Sequence, residues 1–324
     1  MKHPPRACTI HAPAKINLHL EIGGVRPDGF HELESLFVCL DFGDDLRFEI
    51  VRDKGFVLQT INQKFPAEFY GKNNLISRAV RVFCEKTGFN EGLQCFLDKK
   101  IPLGAGLGGG SSDAASALLA LNRLSQKNLS LEKLSEMAVL LGSDVPFFLH
   151  GGAAVVKGRG EIIEPLAGSF FKQSSFIKSG PARFFGTGGC RVILIKPPFS
   201  SDTAEAYRLL DLYREKHRGV KNNLLTVSKE KIDIKRILNS EPGKWPFSND
   251  FLSVLPQTDI YREIIKNLLD GGADFAGLSG SGSCCFGVFT DSKIAENHYK
   301  LQQIQQYFIQ NTFFLASAAD PVLE

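Results

Sequence analysis

The first sixty residues set apolar against polar positions with a period near two. Residues 16–22, 33–40, 46–51 and 56–61 are rich in β-branched and aromatic side chains and are broken by Gly, Pro and Asp, which predicts four strands. The period then changes. Leu75, Ile76, Ala79, Val82 and Phe83 fall at helical spacing, with Asn74 where an N-cap belongs and Gly88 where a helix stops, so a helix is predicted over 75–86. A strand at 93–97 leads through Lys99-Lys100 and a glycine-rich loop into an Ala-rich helix reaching about Leu124, and a second helix at 130–141 stops at Gly142.

Strands follow at 153–156 and 192–195, and a helix starts near Asp202, where Asp202 and Glu205 have capping-box spacing. The last eighty residues give a helix at 259–269, a strand near Phe275, a second glycine stretch from Gly277 to Ser283, a strand at 285–289, a helix at 294–308 and a strand at 313–316. Residues 167–189 lack periodicity and are expected to form an insertion, with a turn at Gly186–Gly189. Residues 216–244 are charged and unpatterned and are expected to form a mobile surface excursion. The element order predicts an α+β fold without repeats.

With 324 residues, 43% of them hydrophobic, the chain can bury a sizeable core and divide into two lobes. Its net charge of +3 gives no reason to expect nucleic acid or an anionic membrane as partner. Seven scattered cysteines without a C-x-x-C pair argue against a disulfide framework or a zinc site and fit a reducing cytoplasm. No run approaches the roughly 18 apolar residues that span a bilayer, and the N-terminus has no signal-like apolar region.

The chemistry concentrates in Pro102-Leu103-Gly104-Ala105-Gly106-Leu107-Gly108-Gly109-Gly110-Ser111-Ser112. Five glycines let backbone N–H groups turn toward an anion, and a helix start adds unpaired donors and a positive dipole end. Glycine-rich turns also serve packing alone, but three consecutive glycines favour a phosphate ligand. Three rival motifs fail on context. Gly104, Gly106 and Gly109 match the dinucleotide spacing, yet residues 122–133 offer no following strand. A Walker lysine is missing, because Ser111 follows Gly110. Asp41-Phe42-Gly43 resembles the protein-kinase metal triplet but precedes the loop, with no H-R-D run before it, and is read as a turn.

Together with this loop, four further segments give the chain a resemblance to the GHMP small-molecule kinases. They are Pro13-Ala14-Lys15-Ile16-Asn17-Leu18, Arg26-Pro27-Asp28-Gly29-Phe30-His31, Gly142-Ser143-Asp144-Val145-Pro146-Phe147 and Leu278-Ser279-Gly280-Ser281-Gly282-Ser283. The likeness runs through nearly the whole chain, with 167–189 and 216–244 outside it. Two glycines more than the common Gly-Leu-Gly-Ser-Ser loop, together with Asp28-Gly29-Phe30-His31, narrow it to the branch that acts on a cytidine-diphosphate-linked sugar alcohol. That branch usually has Tyr where Phe30 stands.

The resemblance implies a two-lobed fold. An ATP-binding lobe would span residues 1–160, rejoined by a last strand in 312–324, and an acceptor-binding lobe would span 161–311. It implies ATP and Mg²⁺ as cofactors and phosphorylation of the 2-hydroxyl of the cytidylyl-linked sugar alcohol in non-mevalonate isoprenoid synthesis. Small-molecule substrates are then the partners, with neither nucleic acid nor membrane, in a cytoplasmic monomer or weak homodimer. By the same likeness Lys15 is the catalytic ammonium and Asp144 the carboxylate that accepts the hydroxyl proton. Residues 102–112, with Asn74 and Lys100, bind ATP, and Asn17, Phe30, His31, Tyr207, Gly280 and Ser281 bind the acceptor. Ser111 or Ser112 caps the helix, with Ser112 the candidate metal ligand, and Asp113 is a dipole partner. Read alone, Lys15 is a surface lysine, Asp144 a turn residue and His31 a surface histidine. A mevalonate- or homoserine-type kinase and a non-catalytic ligand sensor stay open.

Overall fold

Two long antiparallel strands carry the first lobe, β1 (Ala7–Val25) and β2 (His31–Val51). The predicted strands 33–40 and 46–51 are therefore one element. Asp41-Phe42-Gly43 is not a turn but lies inside β2, where a β-bulge absorbs the interruption: between Pro13 and Lys15 on β1 the pairing jumps from Gly43 to Cys39. A side chain at Gly43 would place its Cβ 2.2 Å from the Ala12 carbonyl oxygen, so the two backbones meet there as only glycine allows. The computed structural model describes residues 6–166, 189–217, 232–238, 240–302, 307–315 and 320–324.

Strand β3 (Phe56–Thr60) and helix α1 (Leu75–Thr87) lead to β4 (Gly92–Asp98), which pairs with the second half of β2 and, in parallel, with β3. Three helices follow: α2 (Gly109–Leu124), α3 (Leu131–Val139) and the short α4 (Val145–His150). Strand β5 (Ala153–Gly158) then returns to the first half of β2, and β6 (Ile162–Pro165) pairs with β5. Both helix ends predicted for α1 hold: the Asn74 side chain accepts from the Ile76 N–H, and Gly88 is left-handed at φ 68°.

The four helices cover one face of this sheet, burying Ile10, Phe48, Phe83, Leu118 and Phe147 together. On its other face Ile16, Leu36 and Leu40 pack against Val192, Leu194, Phe286 and Phe314 of the second lobe. The bulge decides which β1 residues face which layer. Before it, Cys8, Ile10 and Ala12 point to the helices; after it, Ala14, Ile16 and Leu18 point to the second lobe. The alternation of faces is inverted across the bulge, which leaves Lys15 and Asn17 on the helical side.

The second lobe is a four-stranded antiparallel sheet in the order β10-β7-β9-β8. Its strands are β7 (Arg191–Lys196), β8 (Phe275–Leu278), β9 (Cys285–Phe289) and β10 (Phe308–Phe313). Helices α5 (Thr203–Lys216), α7 (Thr258–Asp270) and α8 (Ser292–Gln302) belong to it. Asp202 caps α5 through the Glu205 N–H, as its spacing predicts.

Three expectations are corrected here. The helix predicted to reach residue 308 is described to Gln302 and does not include Phe308, which opens an alternating run paired with β7. Of the strand predicted at 313–316, only Phe313 belongs to this second-lobe strand, and residue 316 lies outside the described residues. Phe314 bridges to Leu40 of the first sheet, and a two-residue strand, β11 (Val322–Leu323), pairs with β1. The excursion at 216–244 is packed where it is described: α6 (Ile234–Ile237) precedes Leu238 and Trp245, and Ile234, Leu238 and Trp245 are buried in the interface core. The insertion at 167–188, its glycine turn and the stretch 218–231 lie outside the described residues. No described helix is long and apolar enough to cross a membrane.

Candidate active site

A cavity of about 780 Å³ opens between the lobes. Its floor is the glycine loop, and six consecutive carbonyls of that loop are turned away and engaged. Leu103 O accepts from Ser200 Oγ (3.2 Å), Gly104 O from Ser201 N (3.3 Å) and Ala105 O from Cys284 N (3.1 Å). Gly106 O accepts from Ser279 Oγ (2.9 Å), Leu107 O from Lys15 N (2.9 Å) and Gly108 O from Ser112 N (2.9 Å). Among the described residues no N–H of 103–108 donates. A loop whose acceptors are all occupied presents donors, which is the polarity an anion requires.

Helix α2 begins at Gly109, ahead of both predicted cap residues. Its N-cap is Gly108, which has no capping side chain, so Ser111 and Ser112 sit within the first turn and not at the cap. The first N–H groups of α2 are thus left for a ligand. The glycines divide by cause. A Cβ at Gly106 would lie 2.2 Å from Ser279 O, so lobe packing demands glycine there. Gly110 is exposed, and a Cβ would meet nothing nearer than Leu75 Cδ1 at 3.4 Å. The protein's own packing gives no reason for Gly110.

Lys15 is buried and lies at the cavity beside the loop. Its Nζ is 3.8 Å from Asp144 Oδ2, donates to Asn17 Oδ1 at 2.6 Å and stands 4.5 Å above the Phe37 ring. Burial lowers the ammonium below its ordinary 10.5, and the Asp144 carboxylate works against that shift. Asn17 in turn donates from Nδ2 to Ser35 Oγ (2.9 Å), so both ends of its amide serve to hold Lys15. Asp144 occupies the N-cap position of α4 without capping it, which leaves the carboxylate turned to Lys15.

The opposite wall is aromatic. Phe30 and His31 come from the tip of the β1–β2 hairpin, Tyr207 from α5 and Phe251 from a 3-10 turn. His31 stacks on Tyr207 with centroids 4.8 Å apart and is held by Asp211 Oδ1 at 2.7 Å, while Tyr207 meets Phe251 edge-on at 5.0 Å. Burial, with a smaller contribution from Asp144, pushes the Tyr207 phenol up to about 12, so it stays neutral. Gly280 and Ser281 line the same cavity, with Ser281 Oγ 2.8 Å from Thr203 Oγ1.

Other sequence candidates lie outside the cavity lining. Asn74 caps α1 and also donates to Phe69 O at 2.8 Å, so its amide is engaged at both ends. Lys100 pairs with Asp45 and Asp98. Asp113 is not a dipole partner, because α2 starts at Gly109 and its first turn holds no acidic residue. It is buried against Lys99 Nζ (2.8 Å), which also bonds Asp44, and burial, opposed by Lys99, raises its pKa to about 8. For Mg²⁺ the test is donor chemistry. No described cluster of three or more His, Cys, Asp or Glu exists, but magnesium needs only one or two protein donors when phosphates supply the rest. Ser112 Oγ, buried and without a partner among the described residues, fits that role.

Sequence reasoning missed Ser35, Asp211 and Ser279, which hold the site from behind, and Arg159 and Thr203, which line the cavity. None carries a local signal except Ser279, which lies in the second glycine stretch.

Comparison with known proteins establishes the family. Residues 74–152 match the GHMP kinases N terminal domain and residues 236–307 the GHMP kinases C terminal domain. The chain is 35% identical over 284 residues to the 4-diphosphocytidyl-2-C-methyl-D-erythritol kinase of Bacillus pumilus, covering 87% of this chain and 89% of that one. The enzyme of the same name from Thermodesulfovibrio yellowstonii is 33% identical, with 90% and 93% covered. Among solved structures, a 4-(cytidine 5'-diphospho)-2C-methyl-D-erythritol kinase superposes with a TM-score of 0.72 at 28% identity over 94% of this chain and 99% of that one. A homoserine kinase from Cytophaga hutchinsonii, at 17% identity over 99% of each chain and a TM-score of 0.66, shares the fold. By sequence, by domain content and by architecture, the chain belongs to the 4-diphosphocytidyl-2-C-methyl-D-erythritol kinases of the GHMP kinase superfamily.

Proposed function

We propose that the protein transfers the γ-phosphoryl group of ATP to the 2-hydroxyl of 4-diphosphocytidyl-2-C-methyl-D-erythritol, a step of non-mevalonate isoprenoid precursor synthesis. The observation that carries this reading is the placing of the Lys15–Asp144 pair, 3.8 Å apart, between a donor-only phosphate loop and an aromatic wall suited to a pyrimidine. Family membership supports the same acceptor.

Phosphoryl transfer through a loose transition state needs positioning and charge stabilisation more than covalent help. The loop N–H groups hold the phosphates, and the Lys15 ammonium, fixed by Asn17, neutralises charge that builds on the transferring group. Asp144 accepts the proton of the attacking hydroxyl. Phe30, His31 and Tyr207 hold the cytosine end by stacking and edge contacts. Ser112 is the residue that would hold Mg²⁺, whose charge would offset that of the phosphate oxygens.

A coupled ADP-release assay with the cytidylyl substrate, set against mevalonate and homoserine, tests the reading. Turnover with the cytidylyl substrate alone is expected. Preference for another acceptor would move the protein elsewhere in the superfamily, and no turnover with any of the three would leave a ligand-binding protein.

A further inference from the structure

Three basic side chains line the cavity: Lys15, His31 and Arg159. Two have carboxylate partners, Lys15 with Asp144 at 3.8 Å and His31 with Asp211 at 2.7 Å. Just outside the lining, Arg26 is matched by Glu32 at 2.7 Å and Asp28 at 3.4 Å. Arg159 is different. Among the described residues no carboxylate lies within ion-pair distance of its guanidinium, which is exposed and stands 5.0 Å over the Phe30 ring.

The turn that carries Arg159 is fixed in place. Gly158 and Gly160, on either side of it, are both left-handed at φ 72° and 112°. The Arg159 N–H donates to Glu161 Oε2 at 2.7 Å, which occupies that nearby acid with backbone. At Gly160 a Cβ would fall 2.9 Å from Ser143 Cβ, so the turn rests against the residue preceding Asp144. Arg159 therefore spans the two ends of the acceptor wall, stacked on the aromatic that faces the base and rooted beside the catalytic carboxylate. An acceptor held between those ends carries its diphosphate between them.

We propose that Arg159 recognises the diphosphate of the acceptor and so sets the preference for a nucleoside-diphosphate-linked alcohol over an uncharged one. The inference rests on the proposed acceptor. Chemically it follows from the planar, permanently charged fork of arginine, which binds phosphate oxygens in pairs, and from the lack, among the described residues, of a carboxylate at ion-pair distance from it. Stacking on Phe30 limits the rotamers the side chain must give up on binding.

The test is Arg159→Gln, which keeps length and a planar end but removes the charge. Calorimetric titration of CMP and CDP measures the effect without turnover. Wild type is expected to favour CDP over CMP by about 10-fold, and Arg159→Gln to bring that ratio to about 2-fold or less. In steady state the variant should raise acceptor KM about 10-fold, leave ATP KM and kcat within about 3-fold, and lose most of the salt dependence of acceptor KM. Arg159→Lys should recover part of the loss. An unchanged CDP-to-CMP ratio in Arg159→Gln would overturn the proposal, as would an equal rise in the KM values of ATP and acceptor. Failure of wild type to phosphorylate the cytidylyl substrate would instead refute the acceptor assignment itself, and the two failures are read from different proteins.

Discussion

The two walls of the cavity are built from different material. The side proposed for the phosphates is backbone from one continuous segment, residues 103–108, whose carbonyls are all drawn away by donors, several of them from the second lobe. The acceptor side is side chain, gathered from the β1–β2 tip, α5 and a 3-10 turn more than two hundred residues apart in the chain. Backbone recognises what every nucleoside triphosphate shares, whereas side chains can be exchanged without disturbing the fold. A fold by itself does not fix the acceptor, and the homoserine kinase shares this fold at 17% identity.

The largest effect should come from the pair that joins the walls. Asp144→Asn and Lys15→Met are expected to lower kcat about 10³-fold while ATP still binds, measured by single-turnover kinetics and nucleotide titration. Near-normal kcat in either would remove its assigned role. Lys15→Met carries a stability signature as well. Because burial lowers the folded-state pKa of Lys15, the charged side chain opposes folding below that lowered value. The variant should therefore melt no lower than wild type near neutral pH, and its advantage should fade as pH rises toward the ordinary 10.5.

A contrast within the loop separates packing from ligand. Gly106→Ala forces a Cβ to 2.2 Å from Ser279 O and should cost about 3 kcal/mol of stability, seen in chemical denaturation. Gly110→Ala should leave the melting temperature unchanged or raised, since alanine favours a helix turn, yet raise ATP KM about 10-fold by intruding on the phosphates. If Gly110→Ala left ATP KM alone, phosphates would not approach that turn.

On the acceptor wall, His31→Ala should raise acceptor KM about 10-fold and ATP KM hardly at all, because a stacked and hydrogen-bonded base contact is lost. Equal changes in both would place His31 elsewhere in the mechanism. The smallest effect is expected from Asn74→Ala: loss of a helix cap, about 1 kcal/mol in stability, with ATP KM within about 2-fold. A larger rise in KM would show that the Asn74 side chain reaches the nucleotide.

The legibility of the site follows the same divide between walls. The loop could be read because its glycines are adjacent and their rivals fail on local context. Asn74 as a cap, Asp202 as a cap and the strand at Cys285–Phe289 could be read because each is decided within a few residues. The β1 register could not, since the bulge opposite Gly43 depends on how two strands meet, and it changes Lys15 from a surface lysine into a buried one. Asp113 was misjudged for the same reason: its partners Lys99 and Asp44 are drawn together only when β2, β4 and α2 pack. The helical spacing predicted at 294–308 runs into β10, which is stabilised by pairing with β7 that no local periodicity expresses.

Sequence by itself determined the glycine-rich loop ahead of a helix, the strand-then-helix order of the first lobe, the caps at Asn74 and Asp202 and the family, because these rest on short-range geometry and on motifs read in order. Tertiary structure decided the burial of Lys15, the 3.8 Å approach of Asp144, the occupation of the loop carbonyls and the stacking of Arg159 on Phe30. Each of those is a meeting of groups far apart in the chain, fixed by the packing of two sheets and their helices and by the bulge that turns one strand over.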